Sequence, residues 1–187
     1  MWQIFFNGIR HITDFQGYDH MLFLVVLGAP FSPRLWKQLA ILATAFTVGH
    51  SISLALAVFD VIRFRSGLVE LLIAVTIMIT AIFNIAYCRK AVTVSIYRYM
   101  LIAVIGLIHG LGFSSFFRMM LNDPDDVTKA LLIFNLGVET GQLLIIAFFL
   151  LVTFLFLRIP GLTQQRWNIA LSSVGLLAAI MMAAQRI

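Results

Sequence analysis

Windows of about 20 mainly apolar residues, the length a helix needs to cross a hydrocarbon layer, recur along the chain at 35–61, 68–87, 99–121, 129–157 and 167–184. In hydrocarbon each backbone N–H and C=O must find its partner inside the segment, so windows of this kind fold as helices. A further window, 18–31, is short alone and is extended backward by 2–15, where Phe5, Ile9, Ile12 and Phe15 recur near helical spacing. The pattern predicts an all-α integral membrane protein, a compact bundle of six transmembrane helices spanning about 18–31, 35–61, 68–87, 99–121, 129–157 and 167–184. An amphipathic, partly interfacial N-terminal segment leads into the first span, with Gly17 as a kink between them. Composition agrees: 61% of residues are hydrophobic and 11% charged, and the mean hydropathy is +1.01, outside the balance of a soluble domain. The stretches left over are loops of roughly ten residues, so residues 1–187 are read as one transmembrane domain.

Ordinary punctuation separates the spans: Pro30 and Pro33 after the first, the segment 122–126 (NDPDD) between the fourth and fifth, Pro160 and Gly161 between the fifth and sixth. The N-terminus lacks a basic leader and a small-residue cleavage site and does not read as a signal peptide. Six spans put both termini on one side. Seven cations (Arg34, Lys37, Arg89, Lys90, Arg98, Arg158, Arg166) fall on the side of the first loop and six (Arg10, Arg63, Arg65, Arg118, Lys129, Arg186) on the other, which leans toward termini outside. The net charge of +5 is scattered over loops as membrane anchors, which excludes a nucleic-acid partner and leaves the lipid bilayer as the surrounding. The single thiol, Cys88, builds neither a disulfide nor a thiolate metal site and reads as a small buried hydrophobe.

Titratable groups inside apolar runs are costly at bilayer depth and mark functional positions. His20, His50, His109 and Glu139 are such groups. With a rise of about 1.5 Å per residue, His50 and His109 each fall about 15 Å from the end of their span and Glu139 about 15 Å from the start of its own, on the same face. Asp19, His20 and Glu70 enter from that face, so the polar groups describe a shaft from one surface to mid-membrane. Asn135, Glu139 and Gln142, spaced by four and three residues, form one helical stripe that must face protein or water. Gly106 with Gly110 and Gly137 with Gly141 form two GxxxG pairs that permit close helix approach. Thr44, Thr47, Ser51 and Ser53 read as hydroxyls bonded to backbone carbonyls one turn back, and Asp19 either sets the tautomer of His20 or acts as a helix-start carboxylate. The eight methionines form no stripe at one level, which disfavours a thioether-lined copper path, whereas imidazole plus carboxylate suits nickel, cobalt, zinc or iron(II).

Four stretches, 8–20 (GIRHITDFQGYDH), 44–51 (TAFTVGHS), 106–113 (GLIHGLGF) and 134–142 (FNLGVETGQ), resemble the HupE/UreJ family of hydrogenase and urease accessory membrane proteins, described as nickel or cobalt permeases. The similarity extends over nearly the whole chain. The resemblance implies a metal-handling role in a bacterial inner membrane, with His11, Asp19 and His20 as an entry motif and an accessory metalloprotein or a second copy as partner. Seven residues separate His11 from Asp19, a wider spacing than in the family's nickel-permease branch, and the chain has His109 alone where that branch doubles the histidine and adds a glutamate. It looks closer to the second, less characterised branch.

The first functional expectation is a divalent transition-metal permease for a nickel, cobalt or zinc ion. His20, His50, His109, Glu139 and Asp19 are its candidate ligands, and His11, Asp14, Glu70, Asn135 and Gln142 its entrance and supporting groups. The alternative is a membrane-embedded metal-dependent hydrolase on the same residues, with Glu139 or Asp19 as general base; the inner half of the membrane, where Asn84 and Gln142 are the main polar marks, favours such a dead-end site over a complete path. Axial haem ligation by His50 and His109, with Gly49 and Gly110 giving room, and a purely structural subunit are two further expectations.

Overall fold

A computed structural model describes residues 1–14, 17–114, 117, 119 and 127–186. Among the described residues the chain is helical throughout and forms seven α-helices: α1 (Trp2–Thr13), α2 (Asp19–Gly28), α3 (Trp36–Val58), α4 (Ser66–Ala86), α5 (Ile96–Gly112), α6 (Val127–Phe156) and α7 (Gln164–Ala184). A 3₁₀ turn, Pro33–Leu35, opens α3 with proline in its first turn, where no N–H is needed. Four helical stretches, Pro33–Val58, Ser66–Ala86, Val127–Phe156 and Gln164–Ala184, are long and apolar enough to cross a membrane. Asp19–Gly28 and Ile96–Gly112 are shorter apolar helices.

The expected count of six is corrected to seven among the described residues, because the N-terminal segment and the first span are separate helices. α1 ends at Thr13 because Asp14 takes an extended conformation (ψ 125°), and α2 starts afresh at Asp19. Phe5 and Gly8 meet Gly137, Ile9 and Ile12 meet Gly141, and Gly28 meets the Phe149 ring, so both helices run the same way along one flank of α6. Together they make one broken crossing, with the interruption beside the middle of α6. One face of α1 packs on α6, where Gly8 and Ile12 are buried, while Trp2 and Phe6 on the same helix are exposed. Gly17 stands in the gap between the two helices, where the kink between them was expected; Phe15 lies outside the described residues.

α5 also departs from its window. It ends at Gly112, short of the expected boundary at 121, after three glycines (Gly106, Gly110, Gly112) that weaken helix propensity without lowering hydropathy. The linker at 122–126 and Arg118 lie outside the described residues. The Pro160–Gly161 turn is as expected, with Gly161 at φ +82°.

Glycine sets the tightest contacts. A Cβ on Gly49 would collide with the Ala103 carbonyl, one on Gly106 with the Phe46 carbonyl and one on Gly110 with the His50 carbonyl, so α3 and α5 pack backbone to backbone. Fully buried phenylalanines (Phe23, Phe31, Phe46, Phe134) fill the centre. Around it the usual order of a soluble protein is reversed: Leu132, Leu136, Leu144, Phe148, Val174 and Leu177 face outward, whereas His50, Gln142, Thr153, Asn168 and Ser172 are inside. Apolar outside and polar within is the arrangement that a hydrocarbon solvent favours.

Candidate metal centre

His11 closes α1, His20 lies in the first turn of α2 and His50 is mid-way along α3. The α1–α2 break lets the two helix ends turn toward each other, and the three rings meet: one ligand nitrogen from each lies within 4.8 Å of the others. Ring centroids are 4.6 Å apart for His11 and His20, 5.7 Å for His11 and His50, and 5.8 Å for His20 and His50. Bound in a tetrahedral set at metal–nitrogen distances of about 2.0–2.1 Å, neighbouring nitrogens would stand about 3.3 Å apart. Closing the nitrogens on an ion requires their separations to shrink by up to about 1.5 Å. His109, fully buried on α5, is a fourth imidazole, 5.2 Å from His20.

Two of the tautomers follow from the hydrogen bonds. Asp19 Oδ1 accepts from His20 Nδ1 at 3.0 Å and from the His20 backbone N–H at 2.9 Å, which leaves Nε2 as the bare, donating nitrogen. Asp19 thus holds both expected roles, helix-start carboxylate and tautomer setter. His109 Nδ1 donates to the Ile105 carbonyl at 3.0 Å, which again frees Nε2. Five buried imidazole nitrogens, His11 Nε2, His20 Nε2, both of His50 and His109 Nε2, meet no hydrogen-bond partner within the described protein. Each buried polar atom left so costs on the order of 1–3 kcal/mol, and a soft-to-borderline cation is the ligand that neutral imidazoles fit. Phe23, Phe46, Phe113 and Phe134 surround the rings, with Phe113 3.8 Å from His11 centroid to centroid. Their apolar faces keep the imidazoles from competing partners.

A cavity of about 550 Å³ leads to this group from one end of the bundle. Glu70, ion-paired with Arg186 across α4 and α7, marks its mouth, and His11, His20 and His109 line its inner wall. Asn7, Arg10, His11 and Asp14 line it at i, i+3, i+4 and i+7, a polar stripe on α1. His11 and Asp14 were expected at the entrance, whereas Asn7, Arg10 and Arg186 were not among the candidate site residues, although the i, i+3, i+4, i+7 spacing was there to be read beside the apolar one.

The structure brings His20, His50, His109 and Asp19 together and draws His11, expected at the entrance, into the centre. Glu139 stands elsewhere. Its Oε1 accepts from Thr44 at 2.6 Å, and Gln142 Oε1 accepts from Thr47 at 2.9 Å. Thr44 precedes His50 by six residues, about 9 Å along α3, so the carboxylate lies below the histidine level and not at it. The threonines also bond the carbonyls one turn back, as expected, at 3.2 Å each. Asn135 stands beside His50, but its amide donates to Leu131 at 2.9 Å, leaving the imidazole without a well-formed hydrogen bond. Gly49 and Gly110 give no room for a macrocycle, since the space a Cβ would need is filled by Ala103, Leu107 and Ser53. The room expected for haem beside these two glycines is therefore absent.

No curated protein and no solved structure matches the chain. The family model described as HupE / UreJ protein matches residues 1–186. The chain belongs to the HupE/UreJ family, a metal-related family of accessory and permease proteins.

Proposed function

We propose that the protein is a membrane permease for a divalent transition-metal ion of the nickel, cobalt or zinc class, carried by one transmembrane domain. The observation that carries this reading is the convergence of His11, His20 and His50 at a break between two half-length helices. Broken helices facing one another near mid-bundle are how many transporters expose ion ligands without exposing unpaired backbone to lipid. The ion enters by the cavity at Glu70, where carboxylates concentrate it, and exchanges water for imidazole nitrogens. Asp19 offsets part of its charge through His20. From His50 the polar line continues along the α3–α6 seam through the buried pair Thr47 and Gln142 to Thr44 and Glu139, which lie about two turns along the axis at the outward edge of the seam. Those groups supply a next station that the apolar run alone did not suggest. The end opposite the cavity carries seven cations and no carboxylate in its connecting segments, which favours termini on the outer, periplasmic side of a bacterial inner membrane.

The same site as a hydrolase needs a free carboxylate beside the metal. Asp19 spends its Oδ1 on orienting His20, and Glu139, although its Oε2 meets no partner, sits at Thr44, about 9 Å along α3 from His50, so the geometry favours neither as the general base. Proteoliposomes loaded with a fluorescent chelator test the proposal: the protein admits Ni, Co or Zn, and His20→Ala and His50→Ala each lower the initial rate at least about tenfold. Bound metal without flux of any of the three ions would overturn it.

A further inference from the structure

A second cavity, of about 880 Å³, opens at the opposite end of the bundle, among the α2–α3, α4–α5 and α6–α7 connections. The amide N–H groups of its floor are bonded within the protein. Asn84 donates to the Val26 carbonyl at 2.7 Å and to Ser172 at 3.3 Å, Asn168 donates to the Asn84 carbonyl at 3.1 Å, and Gln164 donates to the Ala29 carbonyl at 2.9 Å. These donors fix the cavity's shape, and Gln164 Oε1 is left without a partner among the described residues. Its charged lining is different: Arg89, Lys90 and Arg98 contribute three positive charges, and no carboxylate lines it. Nor does any lie nearby in sequence, since segments 29–37, 87–98 and 157–166 contain no Asp or Glu.

Arg98 is the informative member. It is half-buried, its guanidinium lies 5.2 Å from the Phe31 ring centroid, and its one hydrogen bond is a long one, 3.5 Å to the Thr93 carbonyl. A guanidinium carries five N–H donors in a planar fork suited to two oxygens of one group. Three like charges converging on a concave surface focus a positive potential that repels a divalent cation and attracts an anion. The cavity therefore is not a continuation of the metal path. We propose that it binds a phosphate group, with Arg98 as the forked contact and Arg89 and Lys90 closing over it from the rim. A phospholipid headgroup and free phosphate share this chemistry.

The test uses the full chain in nanodiscs of neutral phosphatidylcholine, in two arms. In one, phosphatidylglycerol replaces about a tenth of the lipid and tightly held anionic lipid is counted by native mass spectrometry; in the other, inorganic phosphate is titrated and followed by phosphorus NMR line width. The expected result is saturable occupancy by one phosphate group per protein, weakened at least tenfold by Arg98→Gln, restored in part by Arg98→Lys, and unchanged by Arg158→Gln, which removes a charge from the same end outside the cavity. Should Arg98→Gln fail to fold, the exposed pair Arg89→Gln with Lys90→Gln decides. Occupancy in the lipid arm alone assigns a headgroup, and occupancy by inorganic phosphate that phosphatidylglycerol does not displace assigns a soluble phosphate. Absence of saturable binding in both arms, or equal weakening by Arg158→Gln and Arg98→Gln, overturns the proposal.

Discussion

Position along α3 separates two groups of polar residues in this protein. His11, His20 and His50 turn bare nitrogens toward one another, whereas Glu139 and Gln142, which also leave Oε2 and Nε2 without partners, hold hydroxyls of α3 about one to two turns from His50. The separation has a direct test. His11→Ala is expected to abolish stoichiometric metal binding as fully as His20→Ala, and Glu139→Gln to leave it intact, when detergent-purified variants are compared by elemental analysis. Metal lost from Glu139→Gln would move the carboxylate into the coordination set. His20, His50 and His109 were readable in the sequence because an imidazole in an apolar run is too costly to keep without a task. His11 was readable only as an entrance residue, since it sits in a stretch whose hydropathy is ordinary for a surface helix. Glu139 was placed too high because counting residues from span ends assumes that all helices start level, and α6, with 30 residues against 23 in α3, does not obey that assumption.

At the scale of elements, hydropathy windows found where the apolar helices are and missed where they stop. The segments 2–15 and 18–31, although told apart, were counted as one span with its leader when they are separate helices that stop at Thr13 and restart at Asp19, and a window, which averages over a stop, extended α5 past Gly112. Both stops bear on the site: the first frees His11 and His20 to face each other, and the second ends α5 just after His109. The glycines were readable as a packing signal, and the structure gives each a partner, Gly8 on Gly137 and Gly49 between Ala103 and Leu107. Gly49→Ala places a methyl group against a backbone carbonyl that has nowhere to retreat. It is expected to destabilise the α3–α5 pair by about 1–3 kcal/mol, seen as a lower midpoint in thermal unfolding in detergent. Because Gly49 adjoins His50, metal binding weakens in parallel; an unchanged midpoint would mean that the helices separate more easily than their contacts suggest.

The whole molecule is polarised along its axis. Glu70, Asp14 and Asp19 gather around the cavity at one end, and the other end is cationic without relief. This gives an accessibility prediction. An impermeant maleimide applied to one face of oriented vesicles is expected to label Gly17→Cys in a Cys88→Ser background, since Gly17 is exposed at the first cavity with open space around its Cα. Native Cys88, lining the second cavity, is expected to react only from the opposite face. Labelling of both positions from one face would contradict the alternation of helices across a membrane. The polarity was only partly readable from the sequence, where seven cations against six hardly distinguish the ends until the carboxylates are assigned to theirs.

The seating of α1 on α6 also orders the protein's synthesis. The three convergent histidines are all made within the first 50 residues, yet the groove that holds α1 belongs to a helix beginning at Val127. Contacts this distant in sequence form late, after the intervening chain exists. A growing chain thus carries its imidazoles for most of its translation before they can close on an ion. A fragment ending at residue 126 keeps all four histidines and is expected to retain no metal after gel filtration, the order of the helices alone delaying capture until α6 is made.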